Sequence, residues 1–524
     1  MLRQRLFGKR NWRSICVTAA ISSTLIGIVP QAWAEGPSDP APTITPTSAN
    51  GKKILFDNTH GQTAGAADWV IDGGFSDFAN ALGNAGYYVK ELRKSSAITL
   101  ADLSAYDVFV IGEANIPYKT SEQTAMLQYV QGGGSIFFIA DHYNADRNKN
   151  RWDASEVFNG YRRGAWTNPA LGMSTEEAGS AAMSGVSSSD WLATNFGVRF
   201  RYNALGDITA NNIVTGAQGF GITSGVSTVA MHAGSTLAIT DPNKAKGIVY
   251  LPSTTTSWSS AVDQGVYNGG GVAEGPFVAV SKVSAGKAGF IGDSSPVEDA
   301  TPKYMKEETG GAKTTYAGFQ EQNDATLLVN MVNWLATKES YTSLSQVSGL
   351  TLDTATTLYT WEQPANTTEP QAEPWATPAS GYKWWDPTTF KTGAYGVSTS
   401  TNTSDPVAFV HQAQLPNHYV FQVKIILNGL AANSTTAGYN LGIYNGSGTQ
   451  VAKIQNSDGT WPSAYGYSTS FSMTANASGH AEKIVNVQIN TTASGAASMR
   501  LRLNTTNKFT EAVTIADVAA VPLP

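Results

Sequence analysis

The stretch Ser135-Ile136-Phe137-Phe138-Ile139-Ala140-Asp141-His142 constrains the fold of this chain more than any other. It follows Gly132-Gly133-Gly134 and runs on into Tyr143-Asn144-Ala145-Asp146-Arg147. A short apolar run without alternation reads as a strand buried on both faces, the habit of parallel sheets covered by helices. Ligand sites of such sheets lie just beyond the carboxyl ends of the strands. Asp141 and His142 therefore stand where chemistry is expected.

Strands and helices alternate around this run. Residues 53–57, 87–92 and 107–111 read as strands, and 74–85 and 121–131 as helices. Residues 277–283 and 287–292 form a hairpin-like pair, and 321–336 an amphipathic helix that closes the domain. Together these predict an α/β domain over 51–340, with a mostly parallel sheet flanked by helices. Residues 35–50 are rich in Pro, Ser and Thr and read as a linker, and the Pro/Trp-rich 341–400 as a connector. From 401 to 524 strand-like runs alternate with turn residues and no helical period is sustained, which predicts a β-sandwich module.

The first 34 residues combine Arg3, Arg5, Lys9, Arg10 and Arg13, an apolar run over about 15–29, and Ala32-Trp33-Ala34. That order is a secretory signal peptide, and it predicts an exported, extracellular protein with no stable membrane insertion. An uncleaved anchor is the competing reading, but Ser22, Ser23, Thr24 and Pro30 break the apolar run. This segment carries five basic and no acidic residues, so the rest of the chain has a net charge of −11 against −6 for the whole. Such an acidic protein is no electrostatic sponge for nucleic acid, although a metal-bridged enzyme remains open. Cys16 is the only cysteine and lies in the same segment, so the remainder has neither disulfides nor thiolate chemistry.

Three strand-end clusters carry possible chemistry. The first is Asp57-Asn58-Thr59-His60-Gly61-Gln62, which reads either as a turn or as an Asp and a His closing on one cation. The second is Asp141-His142 with Asp146, Arg147, Asn150, Arg151 and Asp153. Carboxylates and imidazole suit Mg, Mn, Ca or Zn, and an arginine beside them suits a phosphate or carboxylate; a solvated loop with internal ion pairs is the other reading. The third is Gly292-Asp293-Ser294-Ser295-Pro296-Val297-Glu298-Asp299, in which Asp293 is favoured as ligand or orienting acid over Ser294 as nucleophile. Glu113 is a fourth strand-end acid.

Lys53-Ile54-Leu55-Phe56-Asp57, the Gly-rich approach to Ser135-Ile136-Phe137-Phe138-Ile139, Gly286-Lys287-Ala288-Gly289-Phe290-Ile291-Gly292-Asp293-Ser294 and Asn330-Met331-Val332-Asn333-Trp334-Leu335 carry a family resemblance. Over about 50–340 the chain resembles the divergent, non-amidotransferase branch of the class I glutamine-amidotransferase-like, flavodoxin-like fold. Enzymes of that family place a Cys nucleophile on the turn after a central strand. Here that turn is Asp141-His142, so the resemblance implies the fold without glutamine hydrolysis. Residues 361–520 are similar to tails of exported bacterial proteins.

These readings point first to a secreted, metal-dependent hydrolase, a phosphodiesterase or nuclease acting on an extracellular polymer. Asp57, His60, Asp141, His142 and Asp293 would hold a divalent metal ion, while Asp141, His142, Arg147 and Glu113 would carry the catalysis. A second reading is a carbohydrate-active or carbohydrate-binding protein, with Glu113 and Asp141 as acid and base and Trp384 and Trp385 stacking on polysaccharide. A third is a non-catalytic binding or structural protein that keeps a degenerate sheet domain. Substrate, metal identity and oligomeric state are not encoded legibly.

Overall fold

A computed structural model describes residues 35–258, 265–369, 377–397, 407–431, 433–476 and 479–523. Residues 1–34, expected to be a signal peptide, lie outside the described residues. Among the described residues no helix is long and apolar enough to cross a membrane.

The central element is a nine-stranded sheet. Its strands are β1 (Thr43–Ile44), β2 (Lys53–Asp57), β3 (Tyr88–Leu92), β4 (Val108–Gly112) and β5 (Ser135–Ile139), then β6 (Asn212–Ile213), β7 (Ala245–Tyr250), β8 (Val278–Val283) and β9 (Gly286–Ile291). Their spatial order is β1-β3-β2-β4-β5-β9-β8-β7-β6. Strands β3, β2, β4, β5 and β9 run parallel, and the other four neighbour pairings are antiparallel.

The expectation of a mostly parallel, flavodoxin-like sheet is therefore corrected. The sheet is mixed, and further strands form small two-stranded sheets and a C-terminal β region. The physical reason is local. Only Ser284 and Ala285 separate β8 from β9, and Ser284 has φ 52°, so the chain reverses in a tight hairpin. A parallel return needs a crossover of a dozen residues or more. Strands β7 and β6 then extend the sheet from the antiparallel side.

Helices α1 (Ser76–Asn84) and α2 (Thr120–Gln131) follow β2 and β4, and α3 (Asp324–Ala336) closes the domain. One core holds Phe56, Phe137, Ile291, Leu328 and Met331; the other, on the opposite side of β5, holds Phe138, Phe158, Phe196 and Phe290. Both alternate faces of β5 are thus dry, as its unbroken apolar sequence requires.

The stretch 35–50 is tied down rather than loose: β1 pairs with β3, and Glu35 meets Arg93 and Lys303. The connector also packs onto the α/β part. Arg201, nearly fully buried, holds Glu362 at 2.8 Å, and Lys246 holds Asp353 at 2.6 Å. Residues 407–516 form a four-stranded and a five-stranded sheet. Val423 and Ile425 of one share a core with Leu441, Ile443 and Leu501 of the other.

Candidate functional site

Strands β2, β4, β5 and β9 end at the same rim, because they run parallel and in register. The rim carries two separate polar clusters.

The first follows β2. Asp57 accepts from the Thr59 hydroxyl at 2.6 Å and from Gln62 Nε2 at 3.0 Å. His60 Nδ1 lies 3.4 Å from Asp57, and its Nε2 lies 3.3 Å from Glu122 on α2. Its ring packs on Tyr118 with centroids 4.3 Å apart. Burial alone would lower the imidazole pKa, but Glu122 and then Asp57 outweigh it and push it up to about 9. Burial pulls Glu122 the other way, yet His60 holds its carboxyl down at about 2. His60 is therefore an imidazolium clasped by two carboxylates. A metal ligand must offer a neutral nitrogen lone pair. Asp57 and His60 thus form an ion-paired clasp with Glu122 after β2.

The second cluster gathers residues from β4, β5 and β9. Arg147 Nε donates to Glu113 at 2.9 Å, and its Nη2 donates to Asp141. The guanidinium lies over the Trp69 ring, 5.4 Å from the centroid. Trp69 Nε1 donates to Glu298 at 2.7 Å, and Glu298 also accepts from Ser294 at 2.6 Å. Asp293 accepts from the backbone N–H groups of His232 and Ser295. Glu113, Asp141, Asp293 and Glu298 are all at most 5% exposed. Glu113, Asp141 and Glu298 thus act on one guanidinium, and Asp293 lies within reach of the Asp141 charge.

The excess of negative charge shows in the titration behaviour. Burial first, and Asp141 next, push Asp293 well above the carboxylate range. Burial pushes Glu113 well above its usual value against the pull of Arg147, with Asp141 adding to the rise. Glu113 also has φ 30°, a left-handed conformation that costs a non-glycine residue on the order of 1 kcal/mol or more. Its Oε2 is buried without a partner.

His142 differs from His60 in its partners. Its backbone N–H donates to Asp141 at 2.6 Å, and its Nδ1–H donates to the Tyr143 carbonyl at 2.7 Å. Burial lowers its pKa. The ring is thus neutral near pH 7, with the lone pair on Nε2. Trp258 lies alongside, centroids 6.2 Å apart.

Of the expected residues, the structure brings together Glu113, Asp141, Arg147, His142 and Asp293, and leaves Asp57 and His60 apart. Among the described residues no group of three or more His, Cys, Asp or Glu is placed to hold a metal ion. Within the expected five-residue ligand set, Asp141 and Asp293 are the two carboxylates that share the second cluster. Sequence reasoning missed Trp69, Glu298 as a partner, and Glu122. Glu298 lies within the third cluster, but its link to Trp69 spans 229 positions and no spacing rule reaches that far.

No family model matches the chain, and no curated protein matches it. Among solved structures, the chain is similar to an mmIFT52 N-terminal domain, at 12% identity and a TM-score of 0.34, over 55% of this chain and 99% of that one.

Proposed function

We propose that this chain is an exported hydrolase that cleaves an anionic extracellular polymer, with a phosphodiester as the bond, at the rim cluster of β4, β5 and β9. The observation that carries this reading is the state of His142: a neutral imidazole, its Nδ1–H committed to a carbonyl, beside an arginine held by two acids. Its Nε2 takes the proton of the attacking water. Arg147 holds the anionic group and stabilises the charge that builds on it. Glu113, kept protonated by burial, gives its proton to the leaving oxygen. A divalent cation between Asp141 and Asp293 would add Lewis-acid polarisation and a lowered water pKa. The basic, apolar and small-residue succession over 1–34 supports export.

The carbohydrate reading would use Glu113 and Asp141 as its acid and base, but Trp384 does not serve it. That side chain is buried, and its indole N–H donates to Glu177 at 2.8 Å.

Purified protein is tested on phosphodiester substrates and polysaccharides, with and without chelator. His142→Gln and Asp141→Asn should each lower phosphodiester turnover by about 100-fold or more. Wild-type turnover in both variants would overturn the assignment of the centre, and undiminished turnover in chelator would remove the cation from it.

A further inference from the structure

Beside the rim, the loop after β5 reads Asp146-Arg147-Asn148-Lys149-Asn150, an acid and two amides at alternate positions. Alternating oxygen-bearing side chains of this kind curl around Ca2+ in loops that bind it. The spacing alone would carry nothing, since the glycine and distant glutamate of an EF-hand are absent. A second and independent observation concerns hydrogen bonding. Asp146 Oδ2, Asn148 Oδ1 and Asn115 Oδ1 are all buried with no partner. The three residues are 1%, 5% and 0% exposed. A buried acceptor left without a donor is costly for a fold to keep, and a bound cation is one way to satisfy it.

These oxygens sit on two abutting segments. Asn148 and Asn150 both donate their amide N–H groups to the Asn115 carbonyl, at 3.3 and 2.7 Å. The loop is held in shape from behind: Asp153 accepts from the backbone N–H groups of Asn144, Ala145 and Asp146 at 2.6, 2.8 and 2.6 Å. Lys149 acts on Asp146 from within the loop, while the two arginines are paired elsewhere. Arg147 pairs with Glu113 and Asp141, and Arg151 pairs with Glu177 at 2.8 Å.

We infer that segments 113–115 and 146–148 bind one hard divalent cation, Ca2+, through Asp146, Asn148 and Asn115, and that this ion fixes the loop presenting Arg147. The site is distinct from the Asp141–Asp293 pair and does not depend on the hydrolase reading. An all-oxygen set of carboxylate and amides suits Ca2+ better than Zn2+, which prefers nitrogen and sulfur, and better than Mg2+, which sheds its water reluctantly.

The test is calorimetric titration of the chelator-treated full chain with CaCl2 and, separately, MgCl2, alongside thermal melts. One Ca2+ per chain is expected, with a melting temperature raised by several degrees in CaCl2 well above the ~10⁻³ M that weak extracellular sites require. Asp146→Asn keeps the acceptor for the Arg151 backbone N–H and should abolish both signals, while Asn148→Asp should retain them. Asp293→Asn should leave Ca2+ binding intact. The inference is overturned if wild-type protein gives neither heat nor shift, if Asp146→Asn responds like wild type, or if Asp293→Asn removes the binding instead.

Discussion

His60 and His142 follow strand ends of one sheet and hold opposite charge states, and their neighbours decide the difference. Two carboxylates keep His60 charged, with a folded pKa of about 9 against 6.5 for the free side chain. Its stabilisation is therefore fully present below about 6.5 and is lost as the pH rises through 9. Glu122 contributes in the acid range, losing its share as the pH falls from 4.5 through about 2. His60→Gln strands two buried carboxylates and should cost ~3–5 kcal/mol at pH 6. The loss should shrink by pH 9.5, a contrast that urea unfolding at the two pH values measures. Burial does the reverse at His142, outweighing the pull of Asp141, with Arg147 adding to the fall. Both residues read alike in the sequence, as His beside Asp after an apolar strand. What separates them is Glu122 on a helix 62 positions from His60, which no local pattern announces.

At the scale of elements, β5, β2 and the closing helix α3 are legible because burial imposes an unbroken apolar run or a helical period. The positions of Glu113, Asp141 and Asp293 are legible for the same reason, since each follows such a strand. Strand direction is not, for periodicity records which faces are dry and says nothing of which way a neighbour runs. The hairpin of β8 and β9 is visible in the sequence, yet the further antiparallel growth through β7 and β6 depends on contacts made by an irregular stretch. Close backbone approach is the other hidden constraint. A Cβ on Gly286, the first residue of β9, would lie 2.1 Å from the Val130 carbonyl oxygen and 2.2 Å from that of Gly134. Neither main-chain oxygen can yield cheaply. Gly286→Ala should therefore destabilise the protein by about 1–3 kcal/mol, as overpacked interiors do, and a thermal melt reads this directly.

Across the whole molecule, the connector behaves as a strap clipped to the α/β part by buried charge. Arg201 reaches Glu362 through two hydrogen bonds, at 2.8 and 2.9 Å, and also the Glu274 carbonyl at 2.6 Å. Breaking one partner of such a pair leaves the other charge buried. Glu362→Gln should loosen residues 344–369 and make them the first site of limited proteolysis, with the sheet core left intact. Unchanged digestion would show that the strap is held by its apolar contacts instead.

The nine-stranded sheet ends on both sides in strands of only two residues, Thr43–Ile44 and Asn212–Ile213. A rim that short offers a second molecule almost no ladder of free N–H and C=O groups to extend. So wide a sheet would otherwise be an aggregation template, and these two stubs leave the protein poorly disposed to grow into fibres by adding copies edge to edge.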